Sequence, residues 1–329
     1  MSHSLIKKID EDLLSPSQLH ITILSTLLLS LTSSLLEKAE LSDHELALSW
    51  RAPSSGFESA LFDLLCSALG VLIGGFVSEQ WDDLSTVRNE IVEKLVHQRE
   101  KKEEEKDVIV GCSFYTVALN EDLHELEQSA RFGLQYTPLL KIKLNDNTVL
   151  GAKILKKLEE ICQEITPSFF KWSIDANAAW NTRVAREYLD VLNPYREHIY
   201  MVEQPFPANI NDADFDAAER AGWADLKTAF ADQGMLVYAD ESMHNSRDVE
   251  KLKDLSHGVN VKLEKTGGIR EALKAMETAK SSGLAVWIGT MLGSCLNSSS
   301  ASHLLCGNET RLGDMDGDLL TTRESQRFH

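Results

Sequence analysis

The feature that most constrains the fold of this chain is a regular alternation of short apolar runs and amphipathic segments from Val108 onward. Each run has the length of a buried strand, and each segment between runs has its apolar residues at helical spacing. The strand candidates are 108–117, 139–144, 170–175, 199–203, 236–240, 258–263, 285–289 and 311–314. The helical segments include 122–132, 152–163, 182–192, 246–255, 269–281 and 296–305.

Strands that alternate with helices pair in parallel through right-handed crossovers. Eight such strands in the region 108–329 are the number needed for a closed (β/α)8-type, TIM-like barrel. An open doubly wound sheet is the alternative α/β fold. That fold favours a glycine-rich first turn, and the sequence has neither a G-x-G-x-x-G nor a P-loop pattern. The barrel is therefore the predicted architecture.

The region 1–107 has a different pattern and is predicted to be almost wholly helical. Its leucine-rich stretch at 19–36 has apolar residues at helical spacing, which favours an amphipathic helix packed on a domain over a signal peptide or anchor. The charged run at 99–107 is typical of a solvated helix end or a linker. We therefore predict a small domain over 1–107 and a barrel domain over 108–329.

Charge and cysteine content narrow the class of partner. The chain has 33 basic and 51 acidic side chains, a formal net charge of −18, which disfavours nucleic acid and membranes as partners. Its five cysteines are scattered and never form a C-x-x-C pair, which favours a reducing compartment such as the cytoplasm. A small-molecule partner is expected, and assembly as a homo-oligomer is compatible with the sequence.

Ionisable side chains stand at most of the predicted strand ends, where a barrel builds its active site. Charged groups at apolar strand ends are costly to bury singly, so their density predicts a common purpose. They are Lys141 and Lys143 on the second strand, Asp175 on the third, Glu203 on the fourth, Asp240 on the fifth, Lys262 on the sixth, and Asp314 and Asp316 on the eighth.

Three of these side chains predict a metal site. Asp175, Glu203 and Asp240 end neighbouring strands, and three ionised carboxylates crowded together require a cation. All-oxygen ligands select a hard ion, Mg²⁺ before Mn²⁺. The simpler alternative is that these residues cap helices or form ion pairs at the turns.

The two lysines predict proton transfer. The second and sixth strands of an eight-stranded ring lie on opposite walls, so Lys143 and Lys262 are expected to face each other across the metal. A neutral amine on one side removes the proton next to a metal-bound carboxylate, and an ammonium on the other side returns one. Lys141, two residues from Lys143 on the same strand face, is expected to lower the pKa of Lys143. Ion pairs at the rim are the alternative.

Six short motifs in order at strand ends resemble the enolase superfamily. The closest likeness within it is to the muconate-lactonizing subgroup, the mandelate racemase/muconate lactonizing enzyme family, which includes the dipeptide epimerases. The resemblance covers residues 108–329, and residues 57–75 resemble the last helix of that family's capping domain. The motifs are KIKL (141–144), DAN (175–177), VEQP (202–205), ADES (239–242), VKLEKTGG (261–268) and DMD (314–316).

This resemblance implies a modified (β/α)7β barrel beneath a capping domain, which here is expected to be truncated and to lack its usual strands. It implies Mg²⁺ binding by Asp175, Glu203 and Asp240, acid–base roles for Lys143 and Lys262, and a helper role for Lys141. The D-x-D motif is expected to bind the α-ammonium group of a dipeptide. The substrate contacts expected from the resemblance are Asp314, Asp316, Asn177 and Met291.

The leading hypothesis is an Mg²⁺-dependent epimerase acting on a dipeptide of the L-Ala-D/L-Glu type. A β-elimination or cycloisomerisation, as in o-succinylbenzoate synthase or muconate cycloisomerase, would keep the metal and the lysines but needs no ammonium clamp. A truncated, inactive homologue is the third reading.

Overall fold

The computed structural model describes residues 112–210, 215–293, 295–307 and 312–317, with positions 55, 56, 59 and 320. The predicted capping region, 1–107, lies outside the described residues except at positions 55, 56 and 59. The helix predicted at 19–36 lies wholly outside them. The domain division at residue 107 therefore stays a prediction.

The strands of the described region form one parallel sheet. They are β1 (Cys112–Ser113), β2 (Tyr115–Val117), β3 (Leu139–Lys143), β4 (Lys171–Asp175), β5 (Ile199–Glu203), β6 (Leu236–Ala239), β7 (Gly258–Lys262), β8 (Ala285–Gly289) and β9 (Leu312–Asp314). The order is β1-β9-β8-β7-β6-β5-β4-β3-β2, and every neighbouring pair is parallel.

The sheet closes on itself through its first predicted strand. Only Phe114 separates β1, which pairs with β9, from β2, which pairs with β3. Phe114 N also donates to Gly313 O at 2.9 Å, which continues the seam with β9. The predicted barrel is confirmed, and the open doubly wound sheet is wrong because its two edge strands would not meet.

Helices connect the strands. They are α1 (Leu123–Gly133), α2 (Thr148–Ile165), α3 (Thr182–Leu192), α4 (Ala217–Asp232), α5 (Val249–Leu252), α6 (Leu263–Thr266), α7 (Ile269–Ser281) and α8 (Cys295–Gly307). Each of the first four is preceded by an Asp or Asn whose side chain accepts from a backbone N–H of the first turn, which satisfies donors that the helix cannot. No helix within the described ranges has the length and apolar character needed to cross a bilayer.

Alternation along the strands separates two apolar layers. Trp172 and Ile174 of β4 pack in the large cluster between the barrel and its helices. A separate cluster contains Phe114, Tyr238 and Trp287, with Trp287 edge-on to both neighbours. This aromatic cluster fills the inside of the barrel below the strand ends. The polar side chains are consequently confined to the rim above it.

One predicted helix is much shorter than expected. The segment 246–255 contains only α5, and the residues before it form a turn. Asp248 Oδ2 accepts from His244 N and Asn245 N, both at 3.0 Å, and Ser246 donates to Glu271 on α7. These side-chain hydrogen bonds compete with helical ones, as Asp, Asn and Ser commonly do.

Candidate active site

Lys141 is the centre of a buried ion cluster at the rim. Its Nζ lies 2.7 Å from Asp314 Oδ2, 2.9 Å from Glu203 Oε2 and 3.2 Å from Asp175 Oδ2, and its side chain is 3% exposed. The inward faces of β3, β4, β5 and β9 supply these groups. Burial alone would lower the pKa of the Lys141 amine, but the surrounding carboxylates outweigh it and hold that pKa well above its usual value. Lys141 is therefore a cation.

Lys143 lies one pleat further along β3 and is partly open to solvent. Its Nζ is 3.2 Å from Asp175 Oδ2 and donates to Asn177 Oδ1 at 2.7 Å, and its side chain is 33% exposed. Burial raises the pKa of Asp175, but Lys141 and Lys143 more than offset burial. The net shift of the Asp175 pKa is therefore downward. Of the two lysines on β3, Lys143 is thus the one that reaches the mouth of the barrel.

Lys262 stands at the end of β7 and is paired with the third predicted metal ligand. Its Nζ donates to Asp240 Oδ2 at 2.7 Å, and its side chain is 8% exposed. Burial lowers the pKa of Lys262, but Asp240 together with Glu203 and Asp314 outweighs burial, and the net shift is upward. Burial likewise raises the pKa of Asp240, and Lys262 with Lys265 drives it well below the usual value. Beside this carboxylate, the Lys262 amine is held as a cation.

The ring order places the two predicted acid–base lysines on opposite walls. Between β3 and β7 lie β4, β5 and β6 in one direction, and β8, β9 and the β1–β2 strand in the other. Lys143 and Lys262 therefore stand four ring positions apart whichever way the barrel is followed. Asp175, Glu203 and Asp240 follow one another along one arc between them.

Glu203 is the most deeply buried carboxylate of the site. Its Oε1 accepts from Asn260 Nδ2 at 2.6 Å, and its Oε2 faces Lys141 without a hydrogen bond of good geometry. Burial raises the pKa of Glu203 to about 8, and Asp175 and Asp240 add to the rise. An additional positive charge beside Glu203 would therefore stabilise its ionised form.

The donor set fits a hard divalent cation. Asp175, Glu203 and Asp240 offer buried carboxylate oxygens from adjacent strand ends, the ligand type that Mg²⁺ and Mn²⁺ take. As the side chains stand, no group of three metal-binding residues in the described ranges is arranged around a common point. Lys141 Nζ lies between Asp175 and Glu203 and bridges them.

The D-x-D motif begins at the last residue of β9 and is buried against β2. Asp316 Oδ2 accepts from Thr116 N at 2.6 Å, while Asp314 pairs with Lys141. Burial and the neighbouring Asp314 raise the pKa of Asp316 to about 7. The structure thus brings both acids to the predicted site, with Asp314 already engaged by a cation.

The two remaining predicted substrate contacts differ from each other. Asn177 is brought to Lys143, as described above. Met291 lies on the loop after β8 with 47% of its surface exposed, and its N–H donates to Glu264 Oε1 at 2.8 Å. Among the contacts of the described residues, Met291 touches none of the predicted lysines or carboxylates.

Three residues given no role in the sequence analysis support the site. Asn260 holds Glu203, and Lys265 Nζ contacts Asp240 Oδ1 and donates to its carbonyl oxygen at 2.6 Å. Gln204 Oε1 accepts from Asp240 N at 2.7 Å. Gln204 and Lys265 lie inside the quoted motifs, and Asn260 lies two residues before Lys262 on the same strand face, which was the available signal.

Comparison with known proteins agrees with the family resemblance of the sequence motifs. A family model described as enolase C-terminal domain-like matches residues 124–320. An enolase superfamily member from Dictyostelium discoideum is 40% identical over 222 residues, which cover 65% of this chain and 51% of that protein. An L-Ala-D/L-amino acid epimerase from Pedosphaera parvula is 35% identical over 191 residues, covering 57% of this chain and 48% of that protein.

Solved structures include a dipeptide epimerase from Enterococcus faecalis, with 25% identity and a TM-score of 0.53. The match covers 63% of this chain and 56% of that one. The chain thus spans about half the length of the curated relatives that it matches.

Proposed function

The chain belongs to the enolase superfamily, as its six motifs predict, and from this premise we propose that it is an epimerase that removes and returns the proton on the carbon next to a carboxylate. The proposed substrate is a dipeptide of the L-Ala-D/L-Glu type. The name of the Pedosphaera parvula relative supports this class, and so does the pair of acids at 314 and 316.

The observation that carries the proposal is the position of two amines on opposite walls of one barrel. Lys143 on β3 and Lys262 on β7 are four ring positions apart, with a carboxylate arc between them. Inverting a carbon centre requires one group to take a proton from one face and another group to deliver a proton to the opposite face. Two general acid–base residues on opposed walls meet this requirement without moving the substrate.

Asp175, Glu203 and Asp240 would hold Mg²⁺, with Mn²⁺ as the alternative. Bound there, the ion would offset the negative charge that develops on the substrate carboxylate as the adjacent proton leaves. The carboxylates at 175 and 203 are buried and share Lys141, so the protein already compensates their charge with a cation at this place.

The surroundings of the two lysines suggest their roles in one direction of the reaction. Lys262 is paired with Asp240 and well shielded, so it is the ammonium that delivers a proton. Lys143 is the more exposed amine, and its Nζ lies at the mouth of the barrel beside Asp175. Lys143 then takes the proton, and one proton is taken for each proton delivered. In the reverse direction the two lysines exchange roles.

The D-x-D acids would bind the α-ammonium group of the dipeptide. Buried carboxylates hydrogen-bond an ammonium strongly because the interaction is charge-assisted. Asp316 is the more suitable of the two, since its carboxylate is held by neutral Thr116 whereas Asp314 is paired with Lys141. Binding at this position would fix the substrate on the side of the barrel that carries β9 and β2.

Incubation of the purified chain with Mg²⁺ in D₂O tests the proposal. A dipeptide library should show incorporation of deuterium at the α-carbon, measured by mass spectrometry. Deuterium in succinylbenzoate-type or muconate-type acids alone would contradict the dipeptide substrate and favour the elimination or cycloisomerisation chemistry. Absence of exchange in every compound, with Mg²⁺ bound, would contradict the proposed activity.

A further inference from the structure

Asn177 joins the ends of three strands through its side chain and its backbone. Its Oδ1 accepts from Lys143 Nζ of β3 at 2.7 Å, and its Nδ2 donates to Glu241 Oε1, after β6, at 2.9 Å. Its backbone N–H donates to Asp175 Oδ1, at the end of β4, at 2.9 Å. Both ends of the side-chain amide are therefore engaged by the protein itself.

The backbone at this position explains why the residue is an asparagine. Asn177 has φ +42° and Ala178 has φ +60°, the left-handed region that non-glycine residues rarely enter and that asparagine tolerates best. The turn is held by a hydrogen bond from Ala178 N to Gln204 O at 2.8 Å. A strained turn kept in place by its neighbours at a rim of charged residues indicates a functional constraint.

Neighbouring carboxylates determine which way the amide faces: Asn177 Nδ2 donates to Glu241 Oε1 and, at 3.4 Å, to Asp175 Oδ2. A carboxylate can only accept, so it takes the NH₂ end of Asn177 and leaves the carbonyl end for the amine of Lys143. The carbonyl orients that amine without adding a charge to it. An aspartate in the same place could not donate to Glu241 and would place a further negative charge near Asp175 and Glu241.

We propose that Asn177 is a positioning residue for Lys143, with Glu241 fixing the orientation of its amide. This inference rests on the proposed two-lysine reaction and differs from the expectation that Asn177 binds substrate. Lys262, on the opposite wall, is held by Asp240 and has no contact with Asn177 among the described residues. The effect of Asn177 is therefore confined to one face of the substrate.

Deuterium exchange with retention of configuration at the α-carbon reports on the two faces of the substrate separately. When a lysine removes the α-proton in D₂O and returns a deuteron to the same face, the dipeptide gains deuterium and keeps its configuration. Initial deuterium incorporation into L-Ala-L-Glu and into L-Ala-D-Glu therefore reports the two lysines separately. Overall epimerisation rates cannot make this distinction, because the equilibrium constant ties the two directions together.

The test uses Asn177→Leu, which removes the side-chain hydrogen bonds, beside Asn177→Gly, which removes them and adopts the left-handed backbone without strain. Retention exchange should fall about 10- to 100-fold for the epimer whose α-proton faces Lys143, and less than about two-fold for the other, because a small displacement of a reacting group is costly. Glu241→Leu should reproduce this asymmetry more weakly. Asn193→Leu, at an exposed asparagine after α3, is the matched control for a surface leucine.

Circular dichroism and the thermal midpoint of each variant check folding. Equal losses for both epimers in a folded Asn177→Leu protein would overturn the positioning role and leave the proposed epimerase intact. An unchanged Asn177→Leu protein would overturn it as well. Absence of exchange in the unmodified chain would contradict the proposed function, and this inference with it.

Discussion

Lys262 Nζ lies 2.7 Å from Asp240 Oδ2, so a proposed proton donor and a proposed metal ligand are direct partners. The same carboxylate is held from its other side by Lys265. Asp240 therefore has two tasks at the rim: it keeps Lys262 protonated, and it contributes charge to the arc formed with Asp175 and Glu203. Changes at this residue should affect metal binding and proton transfer together.

Asp240→Asn should weaken Mg²⁺ binding at least about ten-fold, because the affinity of an oxygen-ligand site depends on its number of charged ligands. Isothermal titration calorimetry with Mg²⁺, or electron paramagnetic resonance with Mn²⁺, measures this directly. Asp190→Asn, at an exposed position of α3, is the matched control. Unchanged affinity in folded Asp240→Asn protein would exclude Asp240 as a ligand.

Lys141→Met should lower the free energy of unfolding by about 3–5 kcal/mol, because it leaves buried carboxylates without their cation. Saturating Mg²⁺ should restore more stability to this variant than to the unmodified chain, since the ion binds the folded state. Urea denaturation with and without Mg²⁺ measures both effects. Lys156→Met, at an exposed position of α2, is the control; an equal loss in the two variants would contradict the central role of Lys141.

Gln204→Leu should destabilise the rim, since Asp240 N and Ser242 N would lose their shared acceptor. A buried donor left unpaired costs about 1–3 kcal/mol. Mg²⁺ affinity should fall with stability because Asp240 follows the loosened backbone. Urea denaturation and calorimetry are compared with exposed Gln128→Leu. A loss of stability with full Mg²⁺ affinity would show that Gln204 does not position Asp240.

Gly289→Ala should disturb Lys262 and Glu203 together. A Cβ there would lie 2.9 Å from Lys262 Cε and 2.7 Å from Asn260 Oδ1, so both side chains must shift. Because Asn260 holds Glu203, Mg²⁺ affinity and the retention exchange of both epimers should fall, with the larger loss for the epimer that faces Lys262. Gly222→Ala on α4, where the nearest atom is 3.5 Å away, should leave the affinity and both exchanges unchanged. Unchanged affinity and exchange in folded Gly289→Ala protein would contradict the close approach of Lys262 and Asn260 to this strand.

The barrel and the rim residues were predictable because most of the apolar strand segments end at a charged residue. Asp175, Glu203 and Lys262 close apolar runs, and strand order alone brings their positions to one rim. The break at Phe114 was not predictable, since an unbroken apolar run does not show that its two halves pair with different neighbours.

The contacts within the site depend on side-chain geometry that the sequence does not contain. Lys141 was expected to act on Lys143, yet its amine reaches Glu203 and Asp314 from other strands. Asn177 was predicted to contact substrate, which stays a prediction, and the structure adds that its amide oxygen accepts from Lys143 Nζ. The distances between side chains of different strands are set only when the barrel closes.

The central claim is that Lys143 and Lys262 serve opposite faces of one α-carbon. The most direct test is retention exchange in D₂O with Mg²⁺, measured for both epimers in Lys143→Ala and in Lys262→Ala. Each variant should lose exchange by about 100-fold or more for one epimer and keep it for the other, with the affected epimer reversed between the two variants. Loss of the same epimer's exchange in both variants would contradict the account.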